Sequence, residues 1–135
     1  MEKFEWDEKY SVNILKIDEE HKKLFQIINK ANDAINNKNE PEKLSEILNE
    51  MTMYALNHFK TEEDYMARFE YSGYELHKKE HLGFIKKTVD YCNSVMEGNY
   101  TIAENLLEFL VQWLTGHIQS TDRKYIECFK KNGLD

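Results

Sequence analysis

Length, composition and charge narrow the classes of protein to which this chain can belong. Its 135 residues suit one domain (1–135), because two would leave each half too small for its own core. Asp and Glu number 25 against 18 Lys and Arg, and this net charge of −7 argues against nucleic acid or an anionic membrane as partner. The chain begins with charged residues and has no long apolar run, so we expect a cytoplasmic protein without a membrane span.

The first two predicted elements are helices, because apolar residues recur at intervals of three and four. The first helix runs from about Asp18, a candidate N-cap, to Asn36. The second begins at Pro41, whose fixed φ suits a first helical turn, and continues to about Met66.

The next two predicted helices each begin with a capping-box pattern. Ser72–Glu75 opens the third helix, which Gly98 ends, and Thr101–Glu104 opens the fourth, which continues to Phe129. Four helices of about twenty residues with short connections favour antiparallel neighbours. We therefore predict an all-α, up-down-up-down antiparallel four-helix bundle over residues 18–131, with residues 1–17 as an N-terminal arm packed across it.

The histidines lie on the predicted helices, in register with the apolar residues rather than on the charged faces. They are His21, His58, His77, His81 and His117. A buried imidazole needs a partner for its nitrogens, and for any one of them alone a core hydrogen bond would suffice. However, His58 with Glu62, and His77 with His81, are four residues apart, which places each pair on one helix face. Two such pairs, with inward histidines on the other two helices, predict one metal centre.

Asp122 follows His117 by five residues, which separates the two side chains by about 140° on an ideal helix. Both could reach one centre only if the helix bulges locally, for example as a π-bulge, or if the centre is broad. The spacing alone therefore leaves Asp122 open as a ligand.

Imidazole and carboxylate together suit iron, manganese or zinc. If Glu62 and Asp122 each bridged two octahedral ions, the five histidines and one bridging oxygen would leave a single coordination position open. Such a centre is suited to bind one small ligand end-on, and we do not expect an enzyme.

At these residues the sequence resembles the hemerythrin family, specifically the single-domain bacterial hemerythrins, over essentially its whole length. The matching segments are Phe4-Glu5-Trp6, Ile17-Asp18-Glu19-Glu20-His21, His58…Glu62, His77…His81 and Trp113-Leu114-Thr115-Gly116-His117-Ile118…Asp122. The resemblance implies two iron ions (Fe²⁺/Fe³⁺) with a bridging oxo or hydroxo group. The five histidines would be terminal ligands, and Glu62 and Asp122 would bridge both irons.

The resemblance also implies reversible O₂ binding, for carriage, storage or delivery, at the iron that has only two histidines. We read these as His58 and His117, with the other three histidines on the second iron. Leu114 and Ile118 resemble the residues of the family's O₂ pocket, and we expect Phe59 and Trp113 to lie beside them in it. All four would also be core residues in any bundle.

Three alternatives stay open at this point. A ferritin-like oxidase or peroxidase would use Glu-x-x-His motifs, and the sequence has none. A module that senses O₂, nitric oxide or iron would pass its state to an unknown protein partner, and a mononuclear zinc site could use His77 and His81 alone. We expect a monomer with O₂ as its ligand.

Overall fold

The computed structural model describes residues 4–36 and 41–135, and within these residues the regular elements are all helical. A 3₁₀ turn, Glu8–Tyr10, precedes the first bundle helix, α1 (Leu15–Asn36). The second bundle helix comprises α2 (Pro41–Tyr54), a π-helix (Ala55–Phe59) and α3 (Lys60–Arg68), and the third is α4 (Tyr74–Met96). The fourth comprises α5 (Ala103–Trp113), a π-helix (Leu114–Thr121), a 3₁₀ segment (Asp122–Tyr125) and α6 (Ile126–Lys131). The predicted all-α four-helix bundle is confirmed.

The first bundle helix begins earlier than predicted, at Leu15, so Asp18 is not its N-cap. The Asp18 carboxylate instead accepts hydrogen bonds from the Ser11 hydroxyl (2.5 Å) and the Val12 backbone N–H (2.9 Å). The side chain therefore fastens the end of the arm to the helix that follows it. Asn13, between them, has a positive φ of 58°, a conformation that asparagine adopts more readily than most residues.

Neither predicted capping box forms. The third bundle helix begins after Gly73 and the fourth after Ile102, in both cases without a side-chain cap. The Thr101 hydroxyl donates to the side chain of Asn99 (3.0 Å), which competes with the helix terminus for this group. The predicted end of the third helix is correct, since Gly98 takes a φ of +85° and Asn99 N–H donates to the Ser94 carbonyl (2.8 Å).

The N-terminal arm packs on the first bundle helix. Backbone groups of Phe4 exchange two hydrogen bonds with the side chain of Asn29, at 2.8 and 2.9 Å. The rings of Trp6 and Tyr10 contact Phe25, with centroids 5.5 and 4.8 Å apart. The arm thereby covers apolar surface that α1 would otherwise expose.

Two apolar clusters make up the core, and the histidines contact both. The larger cluster includes Phe59, Trp113 and Leu114, and the smaller one includes Tyr125 and Phe129. Rings from the larger cluster stack on His81 and His117, and a ring from the smaller cluster stacks on His77. None of the described helices is both long and apolar enough to cross a membrane.

Candidate metal centre

The side chains predicted to bind metal converge in the interior, although they come from all four bundle helices. Each of the seven residues is at most 2% exposed: His21, His58, Glu62, His77, His81, His117 and Asp122. Seven ionisable side chains at this depth would be costly unless they neutralise one another or a bound cation.

Their ligand atoms form two groups that share both carboxylates. One group consists of Glu62 and Asp122 with three histidines, His77, His81 and His117, and the other consists of the same carboxylates with His21 and His58. Within each group the nitrogen and oxygen atoms lie within 4.8 Å of one another. This arrangement is suited to a metal centre in which the two carboxylates are common to both ligand groups.

The division of the histidines differs from the one read from the sequence, which paired His58 with His117. His117 Nε2 lies 3.2 Å from His81 Nε2, whereas the imidazole next to His58 is that of His21, with ring centroids 4.5 Å apart. Spacing within a helix cannot show which helices face each other at this level of the bundle. The group with two histidines is therefore His21 and His58.

A π-helix brings His117 and Asp122 together. The Asp122 N–H donates to the His117 carbonyl, a five-residue hydrogen bond that turns the two side chains to the same face. His117 Nε2 consequently lies 2.9 Å from Asp122 Oδ1. The local bulge that the sequence left as one of two explanations is present. A second π-helix, Ala55–Phe59, contains His58 and was not predicted.

The contacts inside the centre are short but mostly lack hydrogen-bond geometry. His77 Nε2 lies 2.8 Å from Asp122 Oδ1, and His21 Nε2 lies 3.0 Å from Asp122 Oδ2. Nevertheless, both nitrogens and both oxygens remain without a hydrogen-bond partner among the described residues, as does Glu62 Oε1. Lone pairs that converge without hydrogen bonds are the arrangement expected of metal ligands.

Three glutamates hold the outer nitrogens of three histidines, and sequence reasoning did not identify them. The Nδ1 atoms lie 2.7 to 3.0 Å from carboxylate oxygens in the pairs His58–Glu20, His81–Glu63 and His117–Glu80. Such partners fix the ring orientation and make the inner nitrogen a stronger ligand. A signal was present in the sequence, because each glutamate directly adjoins a predicted ligand on a neighbouring helix.

Two threonines fix two of these glutamates. The Thr61 hydroxyl donates to Glu20 (3.1 Å) and the Thr121 hydroxyl donates to Glu80 (3.0 Å). Each threonine follows a ligand histidine of its own helix by three or four residues, so it lies on the same side of that helix. The orientation of His58 and His117 therefore depends on a chain of contacts that extends to the surface.

Aromatic rings cover four of the five imidazoles. Phe59 stacks on His81 with centroids 3.9 Å apart, and Trp113 stacks on His117 at 4.0 Å. Tyr54 lies against His58 and Tyr125 against His77, at 5.2 and 5.6 Å. Of the predicted O₂-pocket residues, Phe59 and Trp113 thus contact histidines of the three-histidine group.

The other two predicted pocket residues, Leu114 and Ile118, are fully buried in the larger core cluster. Near the two-histidine group, the Tyr54 hydroxyl is also buried and has no hydrogen-bond partner among the described residues. A cavity of about 410 Å³ between α1 and α2 extends to His58 and is lined in part by Glu20 and Tyr54. The cavity therefore reaches the two-histidine group at His58.

Ionisation within the site follows from these contacts. Burial lowers the pKa of His21 and of His77, but the closely approaching carboxylates of Asp122 and Glu62 outweigh it and raise these pKa values to about 9 and about 10. Burial likewise lowers the pKa of His117, but the negative charge of Asp122 outweighs it and raises this pKa to about 9. Burial and the neighbouring Glu62 would raise the pKa of Asp122, yet the imidazoles hold it well below its usual range. Without metal, the two carboxylates therefore favour the protonated forms of His21, His77 and His117.

A four-helix bundle with inward imidazoles and two shared carboxylates defines a histidine-rich metalloprotein rather than a carboxylate-rich one. The sequence profile of the Hemerythrin HHE cation binding domain matches residues 13–129. The chain belongs to the hemerythrin family, and it is accordingly a non-haem iron protein that binds O₂.

Individual relatives match over nearly their whole length. The chain is 37% identical to a bacteriohemerythrin from Clostridium acetobutylicum, over 92% of this chain and 99% of that protein. It is 33% identical to a myohemerythrin from Theromyzon tessulatum, over 92% of each. Among solved structures, a wild-type hemerythrin superposes with a TM-score of 0.79 at 25% identity, over 93% of this chain and 97% of that one.

Proposed function

We propose that this chain binds O₂ reversibly at a centre of two iron ions and serves in oxygen carriage, storage or delivery, not as an enzyme. The observation that carries the proposal is the pair of ligand groups that share Glu62 and Asp122. Five ligands in one group and four in the other make the two cation positions unequal. We also propose that residues 1–135 form a single domain.

The residues fit two iron ions joined by an oxo or hydroxo bridge. Imidazole nitrogens and carboxylate oxygens are ligands that iron accepts. The inner nitrogens of His21, His58 and His77 and both Asp122 oxygens are buried and have no hydrogen-bond partner among the described residues, so they are available as ligands. The three outer glutamates hold Nδ1 of His58, His81 and His117, so Nε2 is the nitrogen of each ring that faces the centre.

The two-histidine group supplies the position for the ligand. His21 and His58 provide one imidazole fewer than the opposite group, which leaves a coordination position for one small molecule. A bound iron pair would supply the electrons that O₂ takes up on binding and returns on release. The protein's part is to hold the seven side chains in place and to keep the position accessible.

Apolar walls would keep water out of this position, since water promotes irreversible oxidation of the centre. Leu114 and Ile118 are fully buried, and Phe59 and Trp113 are at most 8% exposed. We assign these four residues to the O₂ pocket. Two of them also stack on histidines, so they restrict the ligands as well as the solvent.

Carriage is supported over turnover by the ligand chemistry. Carboxylates stabilise highly oxidised iron more than neutral imidazoles do, and this site has five imidazoles against two carboxylates. A single open position also leaves no room for a substrate and an oxidant side by side.

Metal content and gas uptake test the proposal. We expect two irons per chain after anaerobic loading with ferrous iron, and uptake of one O₂ per two irons that is recovered under vacuum. One metal per chain, or O₂ consumed without recovery, would contradict it.

A further inference from the structure

An exposed apolar stripe runs along α4, away from the metal centre. Leu82, Ile85, Val89 and Met96 are 55%, 39%, 52% and 84% exposed, and the half-buried Cys92 lies between the last two. Their spacing alternates between three and four residues, which is the repeat of a helix-pairing seam. Four large apolar side chains on one helix face are more than the scattered exposure normal for a soluble protein.

The stripe is distinct from the face that α4 turns toward the core. That inward face consists of His77, His81, Phe84, Thr88 and Tyr91, all of them buried. Neither metal binding nor the bundle core accounts for the second apolar face. An additional partner for α4 would account for it.

Charge along the stripe and its flanks differs between a basic half, residues 78–87, and an acidic half, residues 88–97. Residues 78–87 contain four lysines and one glutamate, and residues 88–97 contain no lysine but include Asp90 and Glu97. On the N-terminal side of Val89, α4 has two acidic residues: Glu75 lies in the first turn, and Glu80 is already engaged with His117. Lys79, Lys86, Asp90 and Glu97 make no ion pair within the described part of the chain.

We infer that this stripe is the contact surface for a second copy of this chain, with the two α4 helices packed antiparallel about a two-fold axis beside Val89. An antiparallel pair sets the basic half of each helix against the acidic half of the other, whereas a parallel pair would set like charges together. The stripe of one copy is therefore complementary in charge to the stripe of a second, antiparallel copy. The proposal departs from the monomer expected from the sequence and is independent of the proposed function.

The positions of the apolar residues in the stripe determine which residues of the two α4 helices lie opposite each other. With Val89 at the axis, Leu82 of the second copy lies opposite Met96, beside a groove of about 290 Å³ that Leu48, Thr52 and Cys92 help to line. Lys86 then faces Asp90 of the second copy, and Lys79 faces Glu97, each within one helical turn. Apolar contacts along the seam are therefore flanked by pairs of opposite charge.

Sedimentation velocity of the iron-loaded chain at increasing concentration tests the proposal. We expect a species of twice the 16.2 kDa chain mass, and at least a tenfold weaker dimer for Val89→Asp. Lys87→Ser, which changes the net charge equally but lies on the opposite side of α4, should dimerise like the wild type. A single-chain mass at every concentration, or a dimer unaffected by Val89→Asp, would overturn the inference.

Disulfide trapping gives a second readout that does not depend on a destabilised variant. In a background of Cys92→Ser and Cys128→Ser, Val89→Cys should cross-link to itself under mild oxidation, because the same residue meets itself at the axis. Lys87→Cys is the matched control and should remain unlinked. Equal cross-linking of the two variants would contradict the two-fold axis.

A charge exchange tests the antiparallel direction. Lys86→Glu should weaken the dimer by placing like charges together, and adding Asp90→Lys should restore it. If the double variant is as weak as the single one, the antiparallel pairing is wrong.

Discussion

The hydroxyl of Tyr125 donates a hydrogen bond of 2.5 Å to Oε2 of Glu62, and both residues are fully buried. The contact joins the second bundle helix to the fourth, and the Tyr125 ring also lies against His77. A hydrogen bond from this hydroxyl fixes one oxygen of a carboxylate that both ligand groups share. Tyr125 is therefore a positioning residue for the centre, a role that helix periodicity alone does not indicate.

Tyr125→Phe removes this hydroxyl and keeps the ring. We expect the metal-free protein to lose about 1.5–3 kcal/mol in the free energy of unfolding, the usual contribution of a hydrogen bond to a charged group. Urea unfolding followed by circular dichroism measures the loss. Tyr100→Phe, at a partly exposed tyrosine, is the control. A loss no greater than that of the control would show that the contact does not stabilise the centre.

Glu20→Gln should weaken metal binding without removing a ligand. The glutamate holds His58 Nδ1 at 2.7 Å, and loss of such a partner typically costs 10- to 100-fold in metal affinity. Competition with a chelator of known affinity measures the change. Its neighbour Glu19 pairs with Lys22 at the surface, so Glu19→Gln should leave the affinity unchanged. Equal affinity of the two variants would exclude the proposed role of Glu20.

Leu114→Ala should speed autoxidation while leaving the iron content intact, because the shorter side chain admits water to the proposed pocket. The rate at which the oxygenated spectrum decays to the oxidised form measures it. Leu110→Ala makes the same truncation one turn earlier in the fourth bundle helix, also at a fully buried position. Each substitution should lower the free energy of unfolding by about 2–5 kcal/mol. If both variants autoxidise equally fast, general loosening rather than the pocket wall is responsible.

Alkaline pH should destabilise the metal-free protein. The pKa values of His21 and His77 are raised from 6.5 to about 9 and about 10, so protonation favours the folded state. This contribution is complete below pH 6.5 and is lost as the pH rises through 9 to 10. Thermal unfolding between pH 6 and pH 10 should show a falling melting temperature for the metal-free chain. The iron-loaded chain should lack this decline, since metal replaces those protons, and a parallel decline in both forms would contradict the assignment.

Helix periodicity was sufficient to predict the bundle and the inward direction of every histidine, because burial on a helix follows its 3.6-residue repeat. It could not predict the start of α1 at Leu15, where Asp18 binds Ser11 and Val12 instead of capping the helix. A side chain that suits an N-cap serves equally well as an anchor for a preceding loop.

Sequence spacing also could not predict which histidines belong to the same ligand group. The pairing of His21 with His58 depends on contacts between different helices, and the i, i+4 rule describes only one helix. The five-residue offset of Asp122 was informative in the opposite way. Since it did not fit an α-helix, it required either a local bulge or a broad centre, and the structure contains the bulge as a π-helix.

Reversible oxygenation is the most direct test of the central claim. The chain is loaded anaerobically with ferrous iron, exposed to air and then degassed while its visible spectrum is recorded. We predict a charge-transfer band that appears with air, fades on degassing and returns over repeated cycles. A chain that shows no band, or one whose band decays to the oxidised form without recovery, is not a reversible O₂ carrier.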